Sequence, residues 1–482
     1  MDAFLSDQLY ARVADAPPVP GNSARLLKDA TENYPAWRQA IGEARRTIYL
    51  ESYFIREDYI GGEFAAALAA KAREGVRVRI IYDWFGALGF TSRRFWRRLR
   101  EAGVEVRCFN PPRFSSPFGW LSRDHRKMLT VDGEVGFVFG LCIDQRWLGD
   151  LKRKLAPWRD TGMEIRGPAV ADLERTFAQV WELAGRPMPP NESPDRMANP
   201  HAGDASMCVI AGSPHSARTY RLDLLVAANA KRSLWLTDAY FVPTTPYAQG
   251  LCAAAMNGVD VRLLIPGLSD VPFTRAMMRS GFRPLLEAGV RIYEWQGTML
   301  HAKTAVVDGR WSRVGSTNLN LTSWIGNWEL DVAIEDRNFA GMMERMYEED
   351  LANANEIVLG AQVEAVQRSG AVLPAKGRAK ARPRASLFLR VSRVVGMIIT
   401  NQLGLNPSEA LIMAISGLVT LATVVIIALW PWVIAGPLVV IGVWVALALL
   451  ARAYKLYSQG RRQAELREAS SGAEAKPERV MD

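Results

Sequence analysis

The stretch RDHRKMLTVD, residues 123–132, carries a histidine, a lysine and an aspartate in the pattern H-x-K-x-x-x-x-D, and HAKTAVVD at 301–308 repeats that pattern. The chain has four histidines, so half of them belong to this motif. One copy of so short a pattern is a weak signal, whereas its repetition makes a chance match improbable and indicates function. The two triplets are His125, Lys127 and Asp132, and His301, Lys303 and Asp308.

The sequence around each motif is also repeated, which indicates two halves of one fold. Two similar halves that each contribute one motif predict a single site at their junction. Similar segments occur in the same order in both halves: RTIYLESYF at 46–54 and RSLWLTDAYF at 232–241, GVRVRIIYD at 75–83 and GVDVRLLIP at 258–266, EAGVEV at 101–106 and EAGVRI at 287–292.

The first half has additional residues before its motif, PPRFSSPFGWLSRD at 111–124. Its aromatic side chains fit either of two interpretations. They pack within an ordinary surface loop, or they contact lipid acyl chains at the entrance of the site.

Apolar runs alternate with amphipathic helical patterns, which predicts an α/β fold with mixed, largely parallel sheets flanked by helices. A stretch rich in Pro, Asn and Gly divides the halves. We expect a lead-in over 1–20, a first domain over 21–183, a linker over 184–205 and a second domain over 206–365. In the first half we expect strands at 26–30, 47–55, 76–83 and 104–109, and helices at 32–45, 63–73 and 92–102.

The C-terminal part has a different composition. The 42 residues between Glu409 and Arg452 carry no charge, about twice the roughly 20 residues that one membrane span needs. We predict a transmembrane helical hairpin over 409–452; the alternative is a buried hairpin of a soluble domain. Basic residues flank both outer ends, which predicts that both ends are cytoplasmic. The spans are expected at 410–429 and 432–451, between a basic amphipathic segment at 366–408 and a polar, disordered tail at 453–482.

Composition limits the partners and the compartment. The formal charge of +9 comes mainly from arginine and suits phosphate-bearing partners, either nucleic acid or an anionic membrane. The four cysteines have no close spacing, so neither a zinc site nor a disulfide framework is predicted. The N-terminus lacks a basic start followed by an apolar run, so we expect no cleaved secretory signal.

Two histidines in one site have the chemistry for displacement at phosphorus. A neutral imidazole attacks, and a protonated imidazole gives its proton to the leaving alcohol. The two rings must therefore begin in opposite protonation states, which their neighbours have to arrange. Lys127 and Lys303 would stabilise the charge on the non-bridging oxygens, so no metal or other cofactor is required.

Other polar residues are assigned supporting roles. In the turn GSTN after the second motif, Ser316 and Asn318 are expected to donate hydrogen bonds to the same oxygens. Asp132 and Asp308 each precede a glycine at the end of an apolar strand. This position favours hydrogen bonding to loop amides over proton transfer for both.

The paired motif, with GSTN after its second copy, resembles the phospholipase D superfamily, and much of residues 21–350 is similar to bacterial cardiolipin synthases. The resemblance implies two pseudo-symmetric phospholipase-D-like domains. It also implies condensation of two phosphatidylglycerols through a phosphatidyl-histidine, with His125 as nucleophile. The closest likeness is in WRDTGMEIRGPAV (158–170), YFVPTTP (240–246), LLIPGLSD (263–270) and LLEAGVRIYEWQGTMLHAKTAVVDG (285–309).

The family also pairs each catalytic histidine with a downstream carboxylate. The matching residues are Asp160 for His125 and Glu329 for His301, with surface salt bridges as the alternative role. The chain departs from the family in its first half, where Phe139, Gly140 and Cys142 occupy the positions of Gly315, Ser316 and Asn318.

The resemblance implies a lipid enzyme of the bacterial cytoplasmic membrane, with its site facing the cytoplasm and anionic phospholipids such as phosphatidylglycerol as substrates. A phospholipase D-type hydrolase is the nearest alternative, because only the acceptor differs. A nuclease of the superfamily would have no obvious use for a membrane anchor, so no nucleic-acid partner is expected. An inactive scaffold is disfavoured because both triplets are intact.

Overall fold

The computed structural model describes residues 4–112, 121–150, 155–192, 194–271 and 274–359, together with single positions between 436 and 450. Most of the loop at 111–124, the segment at 366–408, most of both expected spans and the tail lie outside the described residues. No helix among the described residues combines the length and the apolar character needed to cross a bilayer.

The described strands follow the predicted order, and the predicted repeat is visible in them. They are β1 (Val19–Lys28), β2 (Thr47–Ser52), β3 (Arg77–Asp83), β4 (Glu105–Phe109), β5 (Met128–Val131), β6 (Val135–Phe139), β7 (Thr161–Arg166), β8 (Ala205–Gly212), β9 (Ser233–Thr237), β10 (Asp260–Pro266), β11 (Arg291–Trp295), β12 (Thr304–Val307), β13 (Trp311–Gly315), β14 (Glu329–Glu335) and β15 (Ala354–Ile357).

The described helices connect these strands or cover the sheet. They are α1 (Asp7–Ala14), α2 (Asp29–Glu43), α3 (Tyr59–Arg73), α4 (Trp84–Ala87), α5 (Arg93–Glu101), α6 (Ala169–Leu183), α7 (Arg218–Asn229), α8 (Thr245–Met256), α9 (Thr274–Ser280), α10 (Phe282–Glu287) and α11 (Arg337–Leu351). In the stretch predicted as a linker, the described residues form short 3-10 turns at Pro190–Glu192 and Arg196–Ala198.

The two halves share one continuous sheet of 15 described strands, in the order β15-β11-β10-β9-β12-β13-β14-β8-β1-β7-β6-β5-β2-β3-β4. Outward from the central pair, the order 1-7-6-5-2-3-4 in the first half matches 8-14-13-12-9-10-11 in the second. This correspondence is the pseudo-two-fold relation that the sequence repeat predicts. Antiparallel pairing of β1 with β8 joins the halves.

The prediction of a largely parallel sheet is wrong. Only β2-β3-β4 and β9-β10-β11 pair in parallel, and the other described pairs are antiparallel. The difference arises because helices connect the parallel strands, whereas β5 and β6 follow each other through a tight turn, as do β12 and β13. Short connections produce antiparallel neighbours.

The N-terminal part is more structured than the predicted lead-in and short strand. Helix α1 packs on the second half, where Tyr10 lies in its hydrophobic core and its hydroxyl accepts a hydrogen bond from Trp311 Nε1. Strand β1 begins at Val19 and pairs with both β7 and β8, so it lies at the centre of the sheet. The N-terminal helix α1 therefore packs on the second half, and the segments that follow it form the first half.

Helices cover both faces of the sheet. Helices α6 and α11 contribute to a core that spans both halves, and α2, α3 and α5 form a second core with the first half of the sheet. Helices α7, α8 and α10 form the corresponding core of the second half. The strands β5 and β12, at whose ends the two motifs begin, therefore lie in a sheet with helices packed on both faces.

Candidate active site

Each motif surrounds a four-residue strand. His125 and Lys127 precede β5, and Asp132 follows it at the hairpin turn. The lysine and aspartate of each motif are therefore at opposite ends of a strand, separated by about 16 Å at 3.3 Å per residue. The spacing H-x-K-x-x-x-x-D is that of a strand with a site at one end and a turn at the other.

The aspartates Asp132 and Asp308 stabilise that turn. Their φ angles are 57° and 55°, a left-handed conformation that aspartate tolerates better than most residues. The carboxylate of Asp132 accepts hydrogen bonds from the backbone N–H groups of residues 45–47, and Asp308 accepts from those of residues 231–233. This geometry corresponds to the loop-amide role, and neither aspartate lines the cavity that contains the histidines.

Both histidine rings line one cavity of about 570 Å³ between the two halves. Lys127 and Asn318 also line it, and the Oδ1 atom of Asn318 is buried without a hydrogen-bond partner among the described residues. Lys303 is buried beside His301 behind Tyr240, with its Nζ atom 5.8 Å from the ring centroid. A larger cavity of about 840 Å³ surrounds Asp132 and contains neither histidine.

Backbone hydrogen bonds bring the two motifs together. The His125 N–H donates to the Trp328 carbonyl at 2.9 Å, and the Trp328 N–H donates to the Arg123 carbonyl at 2.8 Å. The His301 N–H donates to the Arg159 carbonyl at 2.7 Å, and the Arg159 N–H donates to the Met299 carbonyl at 3.0 Å. Each motif is thus paired with the segment that carries the carboxylate of the other half.

The predicted pairing of histidines and carboxylates is wrong. His125 Nδ1 lies 2.8 Å from Glu329 Oε2, and His301 Nδ1 lies 2.8 Å from Asp160 Oδ2. The expectation assumed that each half is complete, whereas the crossed backbone pairing places each carboxylate in the other half. A carboxylate at Nδ1 fixes that nitrogen as the protonated one and leaves the Nε2 lone pair available.

Each carboxylate has a further side-chain donor, and the two halves use different ones. Glu329 Oε2 accepts from Ser316 Oγ at 2.6 Å, and Asp160 Oδ2 accepts from Trp147 Nε1 at 2.9 Å. The first half has Gly140 where the second has Ser316, because a Cβ at position 140 would collide with the Asp160 carboxylate. Trp147 therefore replaces the serine of the repeat.

This geometry corrects the role expected for Ser316. Its hydroxyl donates to Glu329 and accepts from the Leu330 N–H at 2.9 Å, so it has no hydrogen left for a phosphate oxygen. Ser316 positions the carboxylate instead. Asn318 remains at the cavity wall. Its counterpart in the first half, Cys142, lines the same cavity.

The surroundings of both histidines disfavour the imidazolium form. Burial lowers the pKa of His125 to about 4, against the opposing effect of Glu329, and Lys127 lowers it further. Burial also lowers the pKa of His301 to about 4, with Lys303 acting in the same direction. We expected the neighbours to hold the two rings in opposite protonation states, whereas they lower the pKa of both rings.

The pKa values of the carboxylates and of Lys303 are also shifted at this site. Burial raises the pKa of Asp160 and Glu329, but the adjacent histidine and lysine outweigh it, so both pKa values lie below their ordinary range. Burial lowers the pKa of Lys303 to about 8. The Nζ atoms of Lys127 and Lys303 donate to the carbonyls of their own motif histidines, which fixes both cations at the site.

Aromatic side chains that we did not predict from the sequence surround the imidazoles. The ring centroid of Tyr53 lies 5.1 Å from that of His125, and the rings of Trp147, Trp158 and Tyr240 lie 5.4 to 6.0 Å from His301. Tyr53 and Tyr240 occupy equivalent positions in the repeated segments RTIYLESYF and RSLWLTDAYF. The repeat therefore contained the signal that identifies them.

The cavity is partly bordered by exposed apolar side chains. Val271, Met277 and Leu321 line it and are 41 %, 54 % and 55 % exposed. No set of three or more His, Cys, Asp or Glu side chains in the described ranges is arranged to hold a metal ion.

Comparisons with known proteins identify the family of this chain. The family model described as cardiolipin synthase, PLD-like domain, matches residues 37–181 and 225–351. The chain belongs to this family. Among curated relatives, cardiolipin synthase A of Pseudomonas aeruginosa is 35 % identical over 355 residues, covering 72 % of this chain and 70 % of the relative. Cardiolipin synthase of Geobacillus kaustophilus is 35 % identical over 357 residues, covering 73 % and 70 %.

A solved structure has the same fold. Phosphatidylserine synthase from Haemophilus influenzae superposes with a TM-score of 0.61 at 14 % identity, over 82 % of this chain and 98 % of that chain. At this identity the likeness concerns the fold alone. The two-half architecture of this cardiolipin synthase family member is therefore shared with a more distant protein.

Proposed function

We propose that this chain is a cardiolipin synthase that transfers a phosphatidyl group from one phosphatidylglycerol to another and releases glycerol. Membership of the family supports the reaction class. The observation that carries the proposal is the crossed pair of imidazoles, each with Nδ1 held by a carboxylate of the opposite half and both lining one cavity.

The first step forms a phosphohistidine. His125 Nε2 attacks the phosphorus of the donor, the bond from phosphorus to the glycerol oxygen breaks, and His301 gives its Nε2 proton to that oxygen. In the second step the terminal hydroxyl of the acceptor gives its proton to His301, and its oxygen attacks phosphorus as the bond to His125 breaks. The assignment of His125 as nucleophile follows the family resemblance.

The substrate has to supply the difference in protonation between the two rings. Burial and the lysines disfavour the imidazolium form of both rings. A bound phosphodiester brings a negative charge beside both rings, which favours the charged form of an imidazole. His301 then takes up the proton that the leaving glycerol requires.

Lys127, Lys303 and Asn318 would hold the non-bridging oxygens. The lysines are fixed by their bonds to backbone carbonyls, so they stabilise developing charge without reorganisation. Asn318 presents an amide at the cavity wall. Asp160 and Glu329 orient the rings, and Asp132 and Asp308 hold the loops that support the motif strands.

A membrane location is part of the proposal. The uncharged stretch between Glu409 and Arg452 has the composition of two spans, with basic residues at both outer ends. The exposed apolar side chains beside the cavity suit the acyl chains of a lipid substrate. We place the protein in the bacterial cytoplasmic membrane with its site on the cytoplasmic side.

The reaction is tested by incubating the purified full-length protein with phosphatidylglycerol vesicles, with and without phosphatidylethanolamine, and identifying products by mass spectrometry. Cardiolipin and glycerol from phosphatidylglycerol alone support the proposal. Cardiolipin that requires phosphatidylethanolamine indicates a different donor, and phosphatidic acid alone indicates a hydrolase.

The shared site is tested by His301→Ala in the same assay. We expect turnover to be abolished, because the acid for the first step and the base for the second are lost together. His215→Ala is the matched control, since His215 lies outside the cavity and should behave as wild type. Normal turnover by His301→Ala would refute the shared site.

A further inference from the structure

Two arginines, Arg123 and Arg146, line the catalytic cavity in addition to Lys127. Arg146 has a carboxylate partner, because its Nε donates to Asp144 Oδ2 at 2.8 Å, and Asp144 also pairs with Arg56 at 3.2 Å. Arg123 has no carboxylate partner among the described residues.

Arg123 is a cation held without a carboxylate. No acidic side chain in the described ranges forms an ion pair with it, and its Nε atom is buried without a hydrogen-bond partner. The guanidinium carbon lies 4.3 Å from the ring centroid of Phe85. Tyr53 lines the same cavity, and the charge of Arg123 and a side-chain hydrogen bond with it both oppose the rise that burial causes in the pKa of Tyr53.

Packing alone does not account for this side chain. The contact that joins Arg123 to the other half is made by its backbone carbonyl, which accepts from Trp328. The equivalent position in the second half, 176 residues later, is Met299, a buried apolar residue. The repeated machinery therefore does not need a cation here, and Arg123 is an asymmetric addition to one half.

The direction of the side chain relates it to the reacting phosphorus. Asp124 forms a β-bridge with Trp328, so the segment through Arg123 and His125 is extended. In an extended segment, residues two apart point to the same side and are separated by about 6–7 Å. The side chains of Arg123 and His125 therefore point to the same side of this segment and line the same cavity.

The proposed reaction needs a second anion site at about this distance. Each phosphatidylglycerol carries one phosphodiester, and in cardiolipin the two phosphodiesters are joined through one glycerol. Lys127 and Lys303 serve the phosphorus that is attacked. The acceptor keeps its own phosphodiester intact, one glycerol away, and has to bring that second negative charge into the same cavity.

We propose that Arg123 binds the phosphodiester of the acceptor phosphatidylglycerol. An arginine fork suits two phosphate oxygens, and the ring of Phe85 holds its plane. This inference rests on the proposed synthase function. It makes Arg123 a determinant of acceptor choice: a phosphate-bearing lipid alcohol is favoured over water or a neutral alcohol.

The test is a competition between two acceptors in one assay. Wild type, Arg123→Gln and the control Arg97→Gln, which removes an exposed arginine of α5, are incubated with phosphatidylglycerol vesicles and ethanol. Cardiolipin, phosphatidylethanol and phosphatidic acid are quantified by mass spectrometry. We expect the ratio of cardiolipin to phosphatidylethanol to fall roughly tenfold or more in Arg123→Gln, as for loss of a charged hydrogen bond, and to stay at the wild-type value in Arg97→Gln.

An unchanged ratio in Arg123→Gln would overturn the inference while leaving the synthase function intact. If wild type forms phosphatidylethanol but no cardiolipin, the proposed function itself fails, and the inference fails with it. If Arg123→Gln gives no product with either acceptor, Arg123→Lys decides. A lysine keeps the charge without the fork, so a ratio between the wild-type value and one tenth of it, or the wild-type ratio itself, supports a cation that binds phosphate at this position. A ratio of cardiolipin to phosphatidylethanol below one tenth of the wild-type value in Arg123→Lys, which keeps the cation, would overturn the inference.

Discussion

At the scale of single residues, the site depends on carboxylates that cross between the halves. His301 is held by Asp160 and His125 by Glu329. Asp160 should therefore affect the acid and base steps, whereas Glu329 should affect the nucleophile. A same-half pairing would give the opposite assignment, so the two arrangements differ in a measurable way.

We predict that Asp160→Asn lowers cardiolipin formation by roughly 10³–10⁴-fold, as loss of the orienting carboxylate does in serine-protease triads. The defect should largely disappear in phosphohistidine formation from a lipid donor with a p-nitrophenol leaving group, because that group departs without an acid. Glu329→Gln should remain defective with both donors. Release of p-nitrophenol in a rapid-mixing burst measures this step, and rescue of Glu329→Gln rather than Asp160→Asn would contradict the crossed assignment.

The histidines also give a pH-dependent contribution to stability. Burial lowers the pKa of His301 from 6.5 to about 4, so between these values the unfolded chain binds more protons than the folded one. The free energy of unfolding contributed by His301 therefore decreases as the pH falls from 6.5 towards 4.

We predict that wild type loses on the order of 3 kcal/mol relative to His301→Asn across that pH range, since each pKa unit corresponds to about 1.4 kcal/mol. Asparagine can keep the donor to Asp160 without a titrating group. Thermal unfolding of both proteins in detergent at pH 7 and pH 4.5 gives the difference, which removes the contribution of the other buried carboxyl groups. Parallel pH curves for the two proteins would show that His301 does not titrate on unfolding.

At the scale of elements, each motif is a short strand with chemistry at its start and a turn at its end. Sequence reasoning predicted β2 to β4 and helices α2, α3 and α5 to within a few residues and found the repeat, but it missed α1 and the first seven residues of β1. It also assigned the aspartates to the turn. Antiparallel pairing could not be read from apolar runs, because a buried strand has the same pattern in either sheet type.

The turn role of the aspartates leads to a prediction about stability. Asp132→Ala removes the acceptor for the N–H groups of residues 45–47 and should lower the free energy of unfolding by about 1–3 kcal/mol. Cardiolipin formation well below the unfolding temperature should persist, because Asp132 lies at the far end of β5 from the cavity. Activity and thermal unfolding of the same preparation test this; loss of activity in a protein of wild-type stability would return Asp132 to the catalytic set. Glu134→Ala, at an exposed neighbouring position, is the control.

At the scale of the whole molecule, the single site was predictable and its assembly was not. Two copies of the motif implied one junction, and both histidines do line one cavity. The crossed carboxylates depend on backbone pairing between segments about 200 residues apart, such as His125 with Trp328, and no local pattern encodes such a contact. Trp147 donates to the carboxylate in the first half as Ser316 does in the second. The sequence did not predict this, because the two residues do not occupy corresponding positions in the repeat.

The central pair β1 and β8 has a consequence for how water competes in this chemistry. Because backbone hydrogen bonds unite the halves into one sheet, separating them to admit a lipid would break the pairing of β1 with β8. A lipid then has to enter through the mouth of the cavity, beside the exposed side chains of Val271, Met277 and Leu321, which solvent also reaches. The product formed from each phosphohistidine then depends on whether a lipid hydroxyl or a water molecule reaches it first.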